Sequence, residues 1–380
     1  MKILVLGAGR MGLGAVYDLA HNSGDVDAIT VADIDLGRAR AVADTVGSPK
    51  VIPVALDVAN YDQVVSLMTG HDSTLSCVVY SNNLHLAKAA IDARSNFCDL
   101  GGNNSVVDAE LALNEEANAA GINIIPDCGL APGMVSVLAA HAAGRFEQVE
   151  TLRVRVGGLP LNPKPPLNYQ IVFSVEGLIN EYVELARVIR DGHIVEVPSM
   201  TEVETLSFSP PYDKMEAFQT SGGTSTLPES FLGKIKELDY KTIRFPGHCA
   251  QFKLLIDLGL ASSEGLDVDS LIVKPRRVLG ELLLRHLPAD GPDVVLIRVE
   301  LSRTKNGTAR TLRYDIIDRF DDRTGLSAMM RTTAFPASII AQMMARGDIK
   351  QKGAIPQELC VPPEAFIKEL AARNIVINES

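Results

Sequence analysis

Apolar and polar positions in the first third of the chain alternate between two rhythms. Residues 3–6 form an unbroken apolar run, as in a strand buried on both faces; Met11, Val16, Leu19 and Ala20 then recur on one side of a helix. The exchange repeats, with strand-like runs at 28–32, 51–56, 74–80, 97–100 and 122–126 separated by helical patterns at 36–46, 61–68, 84–93 and 106–120. Strands separated by helices pair in parallel through right-handed crossovers. The pattern predicts a doubly wound α/β sheet whose ligands gather at the C-terminal strand ends.

The rhythm changes near residue 150. Residues 151–156 alternate as a half-exposed strand does, a helix is predicted from Ser174 through 189, and 193–208 reads as exposed strand. Two alternating strands, 294–301 and 310–320, are joined through Lys305-Asn306-Gly307-Thr308, and Asn-Gly there is a hairpin signal. This half is expected to be an α+β catalytic and oligomerisation domain with a largely antiparallel sheet, covered by its own helices or by a second subunit. Helical patterns return at 327–346 and 362–373. The expected division is a nucleotide-binding domain over 1–127, completed by about 335–380, and a substrate domain over 128–334.

The first strand and helix are joined by Gly7, Gly9 and Gly12, spaced G-x-G-x-x-G. In that context Gly7 allows the tight turn, Gly9 lets backbone approach a pyrophosphate, and Gly12 lets helix and strand pack. Arg10 and Met11 open the helix, whose free N–H groups and positive dipole end suit an anion. Asp33 closes the next strand, about 20 residues on, where a carboxylate accepts ribose hydroxyls and repels a 2′-phosphate. The expected cofactor is therefore NAD; Arg38 and Arg40 lie nearby, on a solvated helix face or beside a phosphate.

Composition narrows the partners. A net charge of −11 over 380 residues argues against nucleic-acid binding, and no apolar run approaches a membrane span. The N-terminus enters a strand at once, so no signal peptide is expected. Five scattered cysteines without C-x-x-C fit a reducing cytoplasm and no metal centre.

Further chemistry is expected at the strand ends. Asp57 with Val58 is placed to meet adenine, and Tyr80 and Asn82 to lie beside the nicotinamide ribose. Asp99 and Gly101, within Asp-Leu-Gly-Gly-Asn, are placed to meet the nicotinamide and the substrate. Asp57 and Asp99 read equally as helix caps. In the second half, the loop Thr220-Ser221-Gly222-Gly223-Thr224-Ser225-Thr226 is a carboxylate site or a solvated turn. Residues 240–248 place Lys241 among apolar neighbours, where burial would make it a base, and put Arg244 on the other face, ready for a carboxylate or an ion pair. His248 reads as a surface histidine or a base, and Glu176 as a helix-start acid or a partner for a substrate ammonium.

These segments resemble the saccharopine dehydrogenase family: Val-Leu-Gly-Ala-Gly-Arg-Met-Gly, Asp-Leu-Gly-Gly and Ile-Ile-Pro-Asp-Cys-Gly-Leu-Ala-Pro-Gly-Met. Val-Phe-Ser-Val-Glu-Gly-Leu, Glu-Ala-Phe-Gln-Thr-Ser-Gly-Gly-Thr-Ser-Thr-Leu and Tyr-Lys-Thr-Ile-Arg-Phe-Pro-Gly-His look like its lysine 6-dehydrogenase branch. The resemblance implies a Rossmann domain and an NAD-dependent, cytoplasmic, homo-oligomeric enzyme. Such an enzyme oxidises the terminal amine of L-lysine to the 6-semialdehyde and releases ammonia. An alkylammonium must lose a proton before hydride can leave its carbon, which calls for a base, Lys241 or His248. Arg244, Thr220 and Thr224 are expected to hold the α-carboxylate and Glu176 the α-ammonium. Two alternatives stand beside this reading: a saccharopine or carboxylated-polyamine dehydrogenase, which would want more cations than Arg244, and an NAD-binding regulator without turnover.

Overall fold

The structure, a computed structural model, describes the backbone of residues 1–305 and 308–380; the expected Asn306-Gly307 turn lies outside the described residues. The chain divides into two compact units, one made of Met1–Phe146, Ser225–Ser230 and Met330–Val376, the other of Glu147–Thr224, Phe231–Met329 and Ile377–Ser380.

The first unit is built on a parallel sheet. Its strands are Lys2–Leu6 (β1), Ala28–Asp33 (β2), Val51–Ala55 (β3), Ser73–Ser76 (β4), Asn96–Asp99 (β5), Asn123–Ile125 (β6) and the two-residue Gly353–Ala354. The spatial order is Gly353–Ala354, β6, β5, β4, β1, β2, β3. Strand order reverses beside β1, and a ligand crevice opens where such a reversal occurs. Ile3 to Leu6 are wholly buried, as the unbroken apolar run requires. One detail differs from the sequence reading. The helix expected over 106–120 is two helices, Asn104–Leu111 and Asn114–Ala120. Asn114, the first residue of the second helix, turns its side chain to the seventh strand, accepting from Ala354 N at 3.1 Å; a Cβ on Gly353 (φ 123°) would lie 2.2 Å from Asn114 Oδ1.

A buried ion pair ties the last helix to the first. Asp18, on helix Arg10–His21, accepts from Arg373 Nε at 2.6 Å, Asn22 Nδ2 at 2.8 Å and Ser338 Oγ at 2.7 Å. Asp18 and Arg373 have almost no exposed surface, so removing one strands the other's charge in the interior.

The second unit holds a nine-stranded mixed sheet. Thr151–Pro160 (β7) lies at its centre. Ala186–Arg190 (β8) and His193–Val197 (β9) form a hairpin; Glu204–Leu206 (β10), Met215–Gln219 (β11) and Glu237–Arg244 (β12) lead to one edge. Leu266–Val268 (β13) and Leu271–Val273 (β14) make a separate two-stranded sheet. Asp293–Lys305 (β15) and Thr308–Arg319 (β16) pair along their length, and Asn378–Glu379 closes the other edge. Every pairing in the nine-stranded sheet is antiparallel except β7 with β12.

The expected helix over 174–189 stops early. Helix Val175–Val183 is capped by Ser174 Oγ on Gly177 N at 3.0 Å, and residues 186–190 are strand. The cause is the two-residue turn Asp191-Gly192 at φ 50° and 80°, which pairs Arg190 with His193. Asp-Gly at positive φ is the hairpin turn that matches strand twist, and it overrides the helical spacing upstream.

The sheet has two distinct faces. Phe218 and the even residues of β12 face a core with Tyr182, Phe252, Leu279 and Leu283, supplied in part by helices His248–Asp257 and Pro275–His286. Ile243 and Ala217 face the other way, against Leu159, Phe208 and Leu296. Arg373→Ala is expected to destabilise the first unit by about 3–5 kcal/mol; urea unfolding followed by circular dichroism measures it, and an unchanged midpoint would contradict the buried-pair account.

Candidate dinucleotide and substrate sites

The glycine turn fits a diphosphate. Gly7 sits at φ 98° with its Cβ position 2.9 Å from Cys77 O, and a Cβ on Gly12 would lie 1.9 Å from Gly7 O. Neither position admits a side chain. Around Gly9, by contrast, nothing lies within 4 Å, leaving open space at the N-cap of a helix whose cap makes no side-chain bond. Arg10 and Met11 follow in the first turn. Asp33 holds the turn through Oδ2, which accepts from Ala8 N at 2.8 Å, while Oδ1 accepts from Asp35 N at 2.9 Å. These residues suit a dinucleotide: Gly7, Gly9, Arg10, Met11 and Gly12 for the diphosphate, Asp33 for the ribose.

The other expected cofactor residues lie beyond the same strand ends. Asp57 is exposed and accepts from Ala59 N at 2.9 Å, while Asn60 caps the following helix, so Asp57 is not the cap. Val58 packs against the core of this unit. Tyr80 backs the glycine pair after β5, since a Cβ on Gly102 would meet its ring at 2.8 Å; Asn82 bonds Val79 O.

Asp99 belongs to a buried carboxyl cluster. Asp99 Oδ1 accepts from Gly101 N at 2.6 Å and Asp127 N at 3.3 Å. Asn103, not Asp99, caps the next helix. Gly101 is required here, because a Cβ on it would lie 1.7 Å from Asp127 Oδ1. Ser225 Oγ donates to Asp127 Oδ2, and Thr226 and Ser230 donate to Glu358 Oε1. Asp127 Oδ1 is buried without a hydrogen-bond partner, and Asp99 and Glu110 meet as a carboxyl pair that bonds only with a proton between them. Burial raises the pKa of all three acids, that of Asp127 to about 8, and the charge on Asp99 raises Glu110 and Asp127 further. Glu110 lies in the last turn of helix Asn104–Leu111, on its buried face with Val107, and nothing in the sequence singled it out.

The second unit carries a cation without a counter-ion. Arg244 is buried, donates from Nε to Tyr182 Oη at 2.8 Å and from Nη1 to Ile243 O at 2.9 Å, and stacks 4.8 Å from the Tyr169 ring centroid. Among the described residues it makes no ion pair. The other buried cations of this unit are all matched: Arg155 to Asp239 at 2.7 Å and to Glu204, Lys241 to Glu204 at 3.3 Å, Arg298 to Asp315 at 2.7 Å.

His248 is buried against this group rather than at the surface. Its Nδ1 bonds Leu167 O and its Nε2 bonds Tyr182 Oη, each at 3.0 Å. The carbonyl fixes the proton on Nδ1, so Tyr182 accepts from Arg244 and donates to Nε2. Burial and the Arg244 charge hold the imidazole pKa near 3. With both nitrogens engaged, His248 orients Tyr182 and has no free lone pair for a base.

Lys241 lies on the opposite face of β12, donating to Glu202 O at 2.7 Å beside Glu204. The two expected bases therefore share no site, and Lys241 is held as a structural ammonium. Glu176 is exposed and paired with Arg276 at 2.7 Å. Thr220 bonds Thr242, and Thr224 donates to Arg187 O, so both hydroxyls are spent on the fold.

The acid nearest in character to a substrate partner is Glu181, which the sequence reading passed over. It is half-buried one residue before Tyr182; burial raises its pKa to about 7 while Arg244 pulls it down. Its signal was available: the inward face of its helix is Val175, Leu178, Ile179 and Tyr182, and Glu181 borders that face.

Residues 3–125 match the family model described as the saccharopine dehydrogenase NADP binding domain, and residues 129–376 match its C-terminal domain. The chain belongs to the saccharopine dehydrogenase family. One relative is saccharopine dehydrogenase [NADP(+), L-glutamate-forming] of Pyricularia oryzae, 25% identical over 273 residues, covering 69% of this chain and 58% of that protein. The chain thus spans less than two thirds of that relative's length. Carboxyaminopropylagmatine dehydrogenase of Synechocystis is 23% identical over 412 residues, covering 100% of this chain and 97% of that protein. The apo saccharopine dehydrogenase (L-Glu forming) structure from Saccharomyces cerevisiae shares the fold, with a TM-score of 0.83 at 20% identity over 100% of this chain and 99% of that one. Among the described residues no helix is long and apolar enough to cross a membrane, and no side-chain group could hold a metal ion.

The raised carboxyls of the first unit give a pH dependence of known sign. The folded chain keeps protons that the unfolded chain releases at ordinary carboxylate pKa values. The stability they contribute is therefore full at low pH and lost as pH rises through about 8, the value at Asp127. Glu110→Gln is expected to flatten the fall in urea midpoint between about pH 5 and pH 8; a slope equal to wild type would show that no proton is held there.

Proposed function

We propose that the chain is a cytoplasmic, NAD-dependent dehydrogenase that oxidises the terminal amine of L-lysine to the 6-semialdehyde and releases ammonia. The observation that carries this reading is the unmatched guanidinium of Arg244. A buried charge without a partner is costly, so the site is completed by an anion, and Arg meets a carboxylate with paired N–H bonds. Among the described residues of the second unit Arg244 is the one buried cation so placed, because Arg155, Lys241 and Arg298 are already neutralised. That suits a substrate with one carboxylate and leaves nothing buried for the further carboxylates of saccharopine.

In this reading Arg244 binds the α-carboxylate, held by Tyr182, which His248 orients in turn. Glu181, tuned to about 7 and within the field of Arg244, binds the α-ammonium. When bound, NAD supplies the hydride acceptor. The terminal ammonium first gives up a proton to a base, since hydride leaves only from the neutral amine. Loss of hydride from the neutral amine leaves an iminium, which water attacks to give the aldehyde and ammonia. Asp33 supports NAD over NADP, by repulsion of a 2′-phosphate.

The names of the relatives favour a second reading, in which the substrate is saccharopine or a carboxylated polyamine and the nucleotide is NADP. Purified protein tested with NAD and NADP against lysine, saccharopine and carboxylated polyamines separates the two. Lysine alone with NAD is expected to give NADH and ammonia; activity confined to saccharopine, with glutamate released, would overturn the first reading. Arg244→Met is expected to raise the KM for lysine about a hundredfold.

A further inference from the structure

A lysine amine is shielded from electrophiles by its own charge: at an ordinary pKa of about 10.4, only about 0.4% is free amine at pH 8. What removes the shield is burial without a counter-ion. Among the described residues three lysines are less than fully exposed: Lys50, Lys241 and Lys352. Lys241 is paired with Glu204 at 3.3 Å, and Lys50 lies in the field of Asp27. Lys352 makes no ion pair among the described residues. Its one hydrogen bond runs from Nζ to a neutral acceptor, Asn123 Oδ1, at 2.9 Å.

The first unit builds this setting from amides and carbonyls. Lys352 directly precedes Gly353–Ala354, the short strand that closes one edge of the parallel sheet and pairs with β6 at Asn123. Asn123 is wholly buried, and its Nδ2 donates to Gln351 O, which fixes the side chain and turns Oδ1 to the ammonium. Its backbone N donates to Asn96 Oδ1 at 2.9 Å, and Asn96 Nδ2 donates to Asp72 O at 2.7 Å. The carboxylate of Asp72 is turned elsewhere, accepting from Lys2 N at 2.7 Å. An ammonium half out of water and facing a neutral oxygen loses solvation and gains no charge partner in return, and burial accordingly lowers the pKa of Lys352. The free amine gives up little here. It still donates to Asn123 Oδ1 and keeps its lone pair, and the half-buried side chain leaves a reagent a way in.

We propose that Lys352 is an acylation site of this chain, taking the acyl group of a small acyl phosphate. The Nζ lone pair attacks the carbonyl carbon. The bond from that carbon to the phosphate oxygen breaks, inorganic phosphate leaves with the electron pair, and the surplus proton of the nitrogen passes to water. The product is a neutral amide whose remaining N–H keeps the bond to Asn123 Oδ1. A small donor suits an amine that is only half exposed. The site lies where β6 begins, at the opposite end of the sheet from the glycine turn that follows β1.

Acetyl phosphate added to the full wild-type chain tests this, with occupancy at each lysine read by peptide mass spectrometry between pH 7 and pH 10.5. Lys350 is the internal reference, since it is exposed, lies two residues away and donates to Gly347 O. At pH 8 Lys352 is expected to be acetylated at least tenfold faster than Lys350, and its rate to level off at a lower pH. Asn123→Asp sets a carboxylate against Nζ and is expected to bring Lys352 down to the rate of Lys350. Equal rates at Lys352 and Lys350 in wild type, or a rate at Lys352 unmoved by Asn123→Asp, would overturn the proposal. If Asn123→Asp fails to fold, the wild-type pH profile decides: a rate at Lys352 that climbs in step with Lys350 over the whole range overturns it.

Discussion

The first unit depends on one close approach. Gly12 packs so near the carbonyl of Gly7 that a single added methyl would sit 1.9 Å from that oxygen. This contact lets the first helix start directly off the first strand and leaves the space at Gly9 empty. Around it the parallel sheet reverses order, and the acids that close the strands are carried to one edge. Asp33 then bonds the turn itself, at Ala8 N, so the acid that closes β2 also fixes the glycine turn.

A different economy governs the second unit. Among the described residues, its buried cations are neutralised by acids from neighbouring strands, with the exception of Arg244, which leans on two tyrosines and a carbonyl. Phenols and aromatic faces keep a guanidinium in place without satisfying its charge. The fold thereby leaves this guanidinium without an ion pair among the described residues. Lys241, three residues earlier, shows the contrast: the same strand, the opposite face, and a carboxylate already at hand.

The α/β character of the first third was legible because buried parallel strands advertise themselves as apolar runs, and because the glycine spacing has few other uses in that setting. The mixed sheet was harder to read. Residues 186–189 carry helical spacing, and Asp191-Gly192 decides against it. The strand Gly353–Ala354 is too short to show any periodicity. In the candidate site, the chemistry of Arg244 was visible from its residue type, but its lack of a partner depends on Glu204, Asp239 and Glu202 being spent elsewhere on the opposite face. Such an allocation is three-dimensional. The same holds for Asp127, which becomes notable only because Gly101 lets it close on the end of β5, for Glu110 on the helix that follows, and for His248, whose two nitrogens are claimed by residues 66 and 81 positions away.

The central claim is that the nitrogen leaving the substrate is the one farthest from its carboxylate. Lysine labelled with ¹⁵N at the terminal amine, or separately at the α-amine, incubated with the protein and NAD, tests it in a single spectrum of the released ammonia. The account predicts labelled ammonia from the terminal position only, in step with NADH. Label released from the α-position, or NADH formed with no ammonia at all, would contradict it.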